Sequence, residues 1–254
     1  MAEASILLRP MQKSISDRRY TAQEVMDYLD GKIAALVGQI QQKEYWKVVS
    51  SPDSDPRLVQ AIMRELYLEI YFYEAQVVEA SIACIAQFPR SLEERKFKAM
   101  LNLMAEEFTH GEVALNGYVA LGGDKEFARN APMSPGAVAM LGVWLAIQYL
   151  RDPFVFLGAE YLFENLTSIL AEMIEANLAK MGVSGDGLVF ITTHAKEDIQ
   201  HSNLMRHLIE HCTEQYDGAG ASIMYGMDCL LFVYPLAMWD AVYERAKAAN
   251  DAIK

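Results

Sequence analysis

Helix-initiation signals recur along most of this chain, whereas the alternating pattern of a β-strand is nearly absent. In each signal a capping side chain is followed by a glutamate three residues later or by a proline at the first helical position. The capping residues are Thr21, Asp55, Ser91, Ser134 and Asp152. Glycines at 122–123 and 182 indicate helix ends. The sequence therefore predicts an all-α bundle of about seven helices, mostly of roughly 20 to 30 residues.

No repeat, low-complexity segment or change of composition marks a domain boundary. We predict an N-terminal extension over residues 1–20 and a single all-helical domain over residues 21–254. The extension carries several charges and lacks the apolar run and cleavage site of a signal peptide. The most apolar stretch, residues 223–239, contains Asp228 and Pro235, so it is expected to be a buried helix rather than a membrane span.

The composition excludes several classes of function. Of 254 residues, 52% are hydrophobic and 22% are charged, as in a globular protein. The net charge of −12 disfavours binding to the phosphates of nucleic acids. The three cysteines are far apart and form no CxxC pair, so neither a disulfide framework nor a zinc ribbon is predicted. We expect a soluble cytoplasmic protein that binds no nucleic acid and no membrane.

A His-x3-Asp-x2-His pattern is the most informative motif. It consists of His194, Asp198 and His201 in one predicted helix. At about 100° per residue the three side chains fall within an arc of about 60°, so their polar groups converge. His207 and His211 fall about 140° and 100° from His194, away from that face. A solvated stripe with an ion pair is the alternative, but the apolar neighbours favour a metal site.

Three other predicted helices carry metal-ligating residue types in apolar surroundings. Glu107 and His110 form a Glu-x-x-His pair, Glu160 and Glu164 interrupt a very apolar segment, and Glu74 borders an apolar stripe. A buried carboxylate without a partner costs several kcal/mol, so a metal or a hydrogen-bond donor is expected at each. Surface charge near Glu107 and a buried tyrosine beside the glutamates of the apolar segment remain the structural alternatives.

Taken together, four long helices each contribute ligands in the manner of a di-iron carboxylate bundle. Such bundles take a Glu from two helices and Glu-x-x-His from two others, and here an Asp replaces one Glu. Mixed imidazole and carboxylate ligands suit iron or manganese, whereas structural zinc prefers thiolates. Four carboxylates and two or three imidazoles exceed what one ion can use, so the sequence favours two metal ions.

The His194, Asp198, His201 triplet, the Glu107-x-x-His110 pair and Tyr161-x-x-Glu164 resemble the haem-oxygenase-like di-iron oxidases and oxygenases, over about residues 58–211. Relatives in that family include a terminal-alkene-forming fatty-acid decarboxylase and amino-acid N-oxygenases. The resemblance implies a haem-oxygenase-like bundle that binds two irons through six residues. They are Glu107, His110, Glu164, His194, Asp198 and His201.

In the family, one iron is held by the early Glu and His, the second mainly by the late triplet, and the middle-helix Glu bridges or caps. Glu164 is ranked above Glu160 only because Tyr161 precedes it by three residues, and Glu74 is left open as an additional ligand. Haem is not implied, because no histidine precedes His110. No cysteine has a recognisable activating context for nucleophilic catalysis.

The function implied is that of an O2-dependent non-haem di-iron oxidase or oxygenase. It would act on a small organic substrate, an amino-acid derivative or a fatty acid, through a peroxo-di-iron intermediate. No flavin, nicotinamide or iron–sulfur motif is present, so electrons come from the substrate or an external donor. A ferritin-like iron-handling protein and a metal-free helical binding protein are the alternatives, and a homodimer is left open. The aromatic residues line either an apolar tunnel or a plain core.

Overall fold

The computed structural model describes residues 18–252, and this part of the chain forms eleven α-helices and no strand. The predicted all-α class is confirmed. The helices are α1 Ala22–Gln41, α2 Glu44–Ser50, α3 Pro56–Ile85, α4 Glu94–Glu107, α5 His110–Ala120, α6 Lys125–Asn130, α7 Pro135–Leu150, α8 Pro153–Lys180, α9 Asp186–Gln215, α10 Ala219–Val233 and α11 Leu236–Asp251. Most of the predicted N-terminal extension, residues 1–17, lies outside the described residues, and the predicted domain boundary stays a prediction.

Four of the five predicted helix starts are confirmed. The backbone N–H of Glu24 donates to Thr21 Oγ1, and the Thr21 N–H donates back to the Glu24 carboxylate. Asp55, Ser134 and Asp152 each accept a backbone N–H ahead of a helix whose first turn begins with proline. The first backbone N–H groups of a helix have no partner within the helix, and these capping side chains accept hydrogen bonds from them. Short polar side chains therefore occur at these positions.

The predicted capping box at Ser91 is wrong. Helix α4 begins at Glu94, and its N-cap residue Glu93 makes no side-chain capping bond. The Ser91 hydroxyl instead lies 3.2 Å from the hydroxyl of Tyr216, with which it hydrogen-bonds. A contact with a residue 125 positions away therefore replaces the local cap.

The structure has more helices than predicted because two predicted helices are divided. The helix expected to run from residue 91 to the glycines at 122–123 is interrupted after Glu107, and α5 begins at His110. The apolar stretch at residues 223–239 is interrupted before Pro235, whose nitrogen carries no hydrogen for a helical hydrogen bond. The two short helices α2 and α6 complete the eleven.

Helices α8 and α10 cross with their backbones in contact. A Cβ atom added to Gly158 would lie 1.8 Å from the carbonyl oxygen of Ile223, and one added to Gly226 would lie 1.8 Å from that of Val155. Only glycine fits at both positions. This close crossing fixes the first half of α8, and that half contains Glu160 and Glu164.

Two helical stretches are long and apolar enough to cross a membrane by length and composition alone, Pro153–Lys180 and Ala219–Asp251. Of their most apolar windows, 67% and 50% respectively are buried inside the fold. Core helices of soluble proteins pass the same test, so this is weak support for a membrane span. Phe232, in the second stretch, is 92% exposed.

Candidate metal centre

Helices α4, α5, α8 and α9 bring the predicted ligands into two adjacent groups. Within each group, one candidate ligand atom per residue lies within 4.8 Å of the others. Group 1 is Glu107, His110 and His194, and group 2 is Glu107, Glu164, Asp198 and His201. All members are buried, and Glu107 belongs to both groups. The six residues predicted from sequence thus lie together in the structure.

Glu107 and His110 meet across a helix break rather than within one helix. Glu107 is the last residue of α4 and His110 the first of α5. The hydroxyl of Thr109 donates to the carbonyl oxygen of Glu106, and such back-bonding to the preceding turn bends helices. The expectation of one continuous helix is wrong here. Even so, His110 Nδ1 lies 2.5 Å from Glu107 Oε2, so the side chains still converge.

His194 is oriented by its own helix. Its Nδ1–H donates to the carbonyl oxygen of Phe190 at 2.6 Å, and the Phe190 ring stacks on the imidazole with centroids 3.9 Å apart. Burial and the nearby His110 lower the pKa of His194 to about 4. At neutral pH the ring is therefore uncharged, and its Nε2 lone pair is available to a metal.

His201 lies at the centre of the acidic residues. Its Nδ1 is 3.2 Å from Glu164 Oε2, 3.3 Å from Glu107 Oε1 and 3.7 Å from Asp198 Oδ1. Burial lowers the pKa of His201, but the adjoining carboxylates of Glu107 and Glu164 raise it to about 12. A protonated His201 supplies positive charge to these carboxylates, and a metal ion bound among them would supply that charge instead.

Several polar atoms of the two groups are buried without a hydrogen-bond partner. They include both carboxylate oxygens of Asp198, Oε1 of Glu107 and Nδ1 of His110. The contacts of Glu107 with the two imidazoles are short, but their directions do not suit hydrogen bonds. Burial, followed by the charges of Glu164 and Glu107, raises the pKa of Asp198 to about 10. Buried polar atoms normally have partners, so these fit a site that binds metal.

Glu160 and Glu74 lie beside the groups but outside both of them. Burial and the charges of Glu107 and Glu74 raise the pKa of Glu160 to about 8. Burial and the charges of Glu107, Glu164 and Asp198 raise the pKa of Glu74 well above its ordinary value. Whether either of them binds metal stays a prediction.

Tyr161 does not take part in this arrangement. Its hydroxyl donates to Asp30 at 2.6 Å and accepts from Arg206 at 2.7 Å, which ties α8 to α1 and α9. In the sequence, Tyr161 is the sole reason for ranking Glu164 above Glu160. In the structure, Glu164 belongs to group 2 through its own position on α8 and not through contact with this tyrosine.

Sequence reasoning missed Glu106. Its Oε2 accepts from His201 Nε2 at 3.0 Å, which leaves the Nδ1 side of that ring facing group 2. The Glu106 side chain is 61% exposed, which fits the alternative of surface charge near Glu107. Adjacent residues on a helix point about 100° apart, so no local signal shows that both Glu106 and Glu107 reach His201. As predicted, His207 points away, with a side chain 77% exposed.

An apolar cavity of about 90 Å³ adjoins the two groups and includes Glu74 and His194 in its wall. Side chains from α2, α3, α8, α9 and α11 line it, together with Tyr234 between α10 and α11. Of the aromatic residues considered for a tunnel, Tyr73 and Phe163 lie in this wall. Trp144 is fully buried elsewhere in the core, and Tyr149 is exposed.

The architecture matches solved structures of other proteins. One is a domain of unknown function with a heme oxygenase-like fold from Shewanella denitrificans, with 17% identity, a TM-score of 0.74, and coverage of 89% of this chain and 94% of that chain. Another is a TenA homologue from Pseudomonas syringae pv. tomato, with 12% identity, a TM-score of 0.63, and coverage of 94% and 98%. At such identities the likeness shows the fold alone.

No curated protein matches this chain. The sequence pattern that defines one protein family, described as iron-containing redox enzymes, matches residues 64–234. This range covers most of the chain and includes all six predicted ligands and both groups. The chain belongs to the family of iron-containing redox enzymes.

Proposed function

We propose that this protein is an O2-dependent non-haem di-iron oxidase or oxygenase that acts on a small organic substrate. The family supports iron and redox chemistry. The observation that carries the di-iron proposal is the sharing of Glu107 between a three-residue and a four-residue ligand group. One carboxylate between two adjacent ligand sets is what a pair of metal ions requires.

The donor set suits iron. Group 1 offers two imidazoles and a carboxylate, and group 2 offers one imidazole and three carboxylates. Oxygen and imidazole donors suit iron or manganese, and no cysteine belongs to either group. In the proposal, His110 and His194 would hold one iron, Glu164, Asp198 and His201 would hold the other, and Glu107 would contribute to both. The unpartnered atoms of Asp198 and Glu107 fit this role.

Bound iron would supply the electrons that reduce O2, and the chain would supply geometry and protection from solvent. The Phe190 carbonyl holds the His194 ring, and Glu106 holds the His201 ring. Hydrogen-bonded partners of this kind orient metal-binding histidines. The burial of all six ligand side chains keeps water from the site.

The apolar cavity favours an enzyme over an iron-handling protein. Its wall includes His194, so a molecule within it would lie next to group 1. Iron storage requires no apolar chamber beside the ligands, whereas oxidation of an organic substrate does. In this proposal the electrons come from the substrate or from an external donor, since the chain carries no motif for a second redox cofactor.

Anaerobic titration with Fe(II), followed by exposure to O2, tests the proposal. We expect about two irons per chain and single-turnover O2 consumption that depends on that iron. His207→Ala is the matched control, because it removes an exposed histidine from the same helix as the proposed ligands. A saturating stoichiometry of zero, or a single tightly bound zinc, would contradict the di-iron assignment.

A further inference from the structure

The wall of the apolar cavity shows what kind of molecule it can accept. Its lining contains no lysine or arginine, and its acidic and imidazole groups are limited to Glu74 and His194, both next to the ligand groups. A charged group buried in this wall away from Glu74 and His194 would find no partner and would cost several kcal/mol. The body of a bound molecule must therefore be uncharged.

Two hydrogen-bond donors in this wall lack partners. They are the hydroxyl of Tyr45 on α2 and the indole Nε1–H of Trp239 on α11, and both atoms are buried. Tyr45 is only 5% exposed. Its ring meets the Trp239 ring edge-on, with centroids 5.7 Å apart. Buried polar groups rarely stay unpaired, so two neighbouring unpaired donors indicate a place for an acceptor.

No other polar side-chain atom of the wall is both fully buried and without a hydrogen-bond partner. The Thr167 hydroxyl donates to the Phe163 carbonyl at 2.8 Å. Tyr45 and Trp239 are therefore the two side chains of the wall whose hydrogen-bond donors are both buried and unpaired.

The donor pair lies on the α2–α11 side of the cavity, whereas His194 lies on the α9 side. The Trp239 ring separates Tyr45 from Tyr234, whose ring in turn packs on Phe163 at 5.5 Å. An ion pair at 2.5 Å between Lys43 and Asp240 joins the start of α2 to α11 beside the donor pair. The two donors are therefore held in place away from the proposed metal ligands.

We propose that the cavity binds a small, uncharged, hydrocarbon-rich substrate whose neutral oxygen acceptor, a carbonyl or ether, is bound by Tyr45 and Trp239. Its opposite end then lies beside His194. An amino-acid derivative with both an ammonium and a carboxylate group does not fit this wall. The placement of the reacting end rests on the proposed function, whereas the binding preference is a property of the cavity alone.

Nuclear magnetic resonance of the full iron-free chain with two matched probes tests this inference. The probes are 2-pentanone and 2-methyl-1-pentene, in which a CH2 group replaces the ketone oxygen. The protein has three tryptophans, and Trp239→Phe identifies the indole N–H signal of Trp239. We expect the ketone to shift this signal downfield in a saturable manner, and the alkene to bind without that downfield shift.

Tyr45→Phe should weaken ketone binding by roughly 2- to 10-fold, the worth of one hydrogen bond, and should leave alkene binding unchanged. Tyr71→Phe, on α3 but outside the cavity wall, is the control and should change neither affinity. The inference is overturned if the two probes give the same Trp239 response, if Tyr45→Phe has no effect on the ketone, or if neither probe binds.

Iron titration keeps the two proposals separate. Selective ketone binding by a chain that takes up no iron would support the cavity assignment and overturn the proposed function. Uptake of two irons with no preference for the ketone would support the proposed function and overturn the cavity assignment.

Discussion

The Oε1 atom of Glu107 lies 3.3 Å from Nδ1 of His201, across the space between α4 and α9. The other oxygen of the same carboxylate, Oε2, lies 2.5 Å from Nδ1 of His110. Burial raises the pKa of Glu107, but the neighbouring imidazoles of His110 and His201 lower it to about 2. Glu107 is therefore ionised at neutral pH and faces both ligand groups.

Glu107→Ala should abolish binding of both irons, because each group loses a ligand. His110→Ala should lose only the iron of group 1, so that about one iron per chain remains. The measurement is iron content after anaerobic loading and desalting. Glu112→Ala, an exposed carboxylate on α5, is the control and should keep two irons. Retention of one iron by Glu107→Ala would show that this residue does not serve both sites.

His194→Ala and Asp198→Ala should each lose iron and O2 consumption, whereas His207→Ala and His211→Ala should keep both. The first two side chains are buried in the ligand groups, and the other two lie outside them. Circular dichroism of each variant controls for folding. Equal loss of iron in all four folded variants would contradict the assignment of the α9 face.

Glu164→Ala should remove the second iron, whereas Glu160→Ala should keep the metal and slow the reaction by roughly 10- to 100-fold. Glu164 belongs to group 2, while Glu160, one turn earlier on α8, lies outside both groups. Metal content separates the two roles. If Glu160→Ala is the variant that empties the second site, the ligand lies one helical turn earlier than proposed.

Gly158→Ala and Gly226→Ala should each destabilise the fold by about 3 kcal/mol or more, since the added Cβ meets a backbone carbonyl that cannot move aside without separating α8 from α10. Gly142→Ala on α7 is the matched control, because nothing lies within 4 Å of its added Cβ. It should stabilise the helix by about 0.5 to 1 kcal/mol. Urea denaturation measures all three, and a neutral Gly158→Ala would contradict the tight crossing.

The iron-free protein should lose stability as pH rises from about 5 to 8. Burial, the largest cause, raises the pKa of Glu160 and Glu164 to about 8, from an ordinary value of 4.5. Between these values the folded chain holds protons that the unfolded chain has released, so the free energy of unfolding falls with pH. In urea denaturation at several pH values, Glu160→Gln should make this dependence shallower, and the exposed Glu79→Gln should not. An unchanged slope in Glu160→Gln would contradict the raised pKa.

Local sequence rules determined the helical class and most helix starts. Helices begin after Thr21, Asp55, Ser134 and Asp152 because their short polar side chains accept hydrogen bonds from backbone N–H groups of the first turn. The glutamate or proline that favours each start lies only one to three residues further along the chain. The helical period likewise placed His194, Asp198 and His201 on one buried face, because that arrangement depends only on α9 being a helix.

Tertiary structure decided which residues of different helices meet. The packing of α4, α8 and α9 decides three features of the site. It sets the helix break between Glu107 and His110 and the contact of Glu106 with His201. It also decides that Glu164 belongs to a ligand group and Glu160 does not. The unpaired donors of Tyr45 and Trp239 depend on α2 packing against α11, nearly 200 residues away. Sequence spacing fixes directions within one helix, but the distances between helices follow from the packing of the whole core.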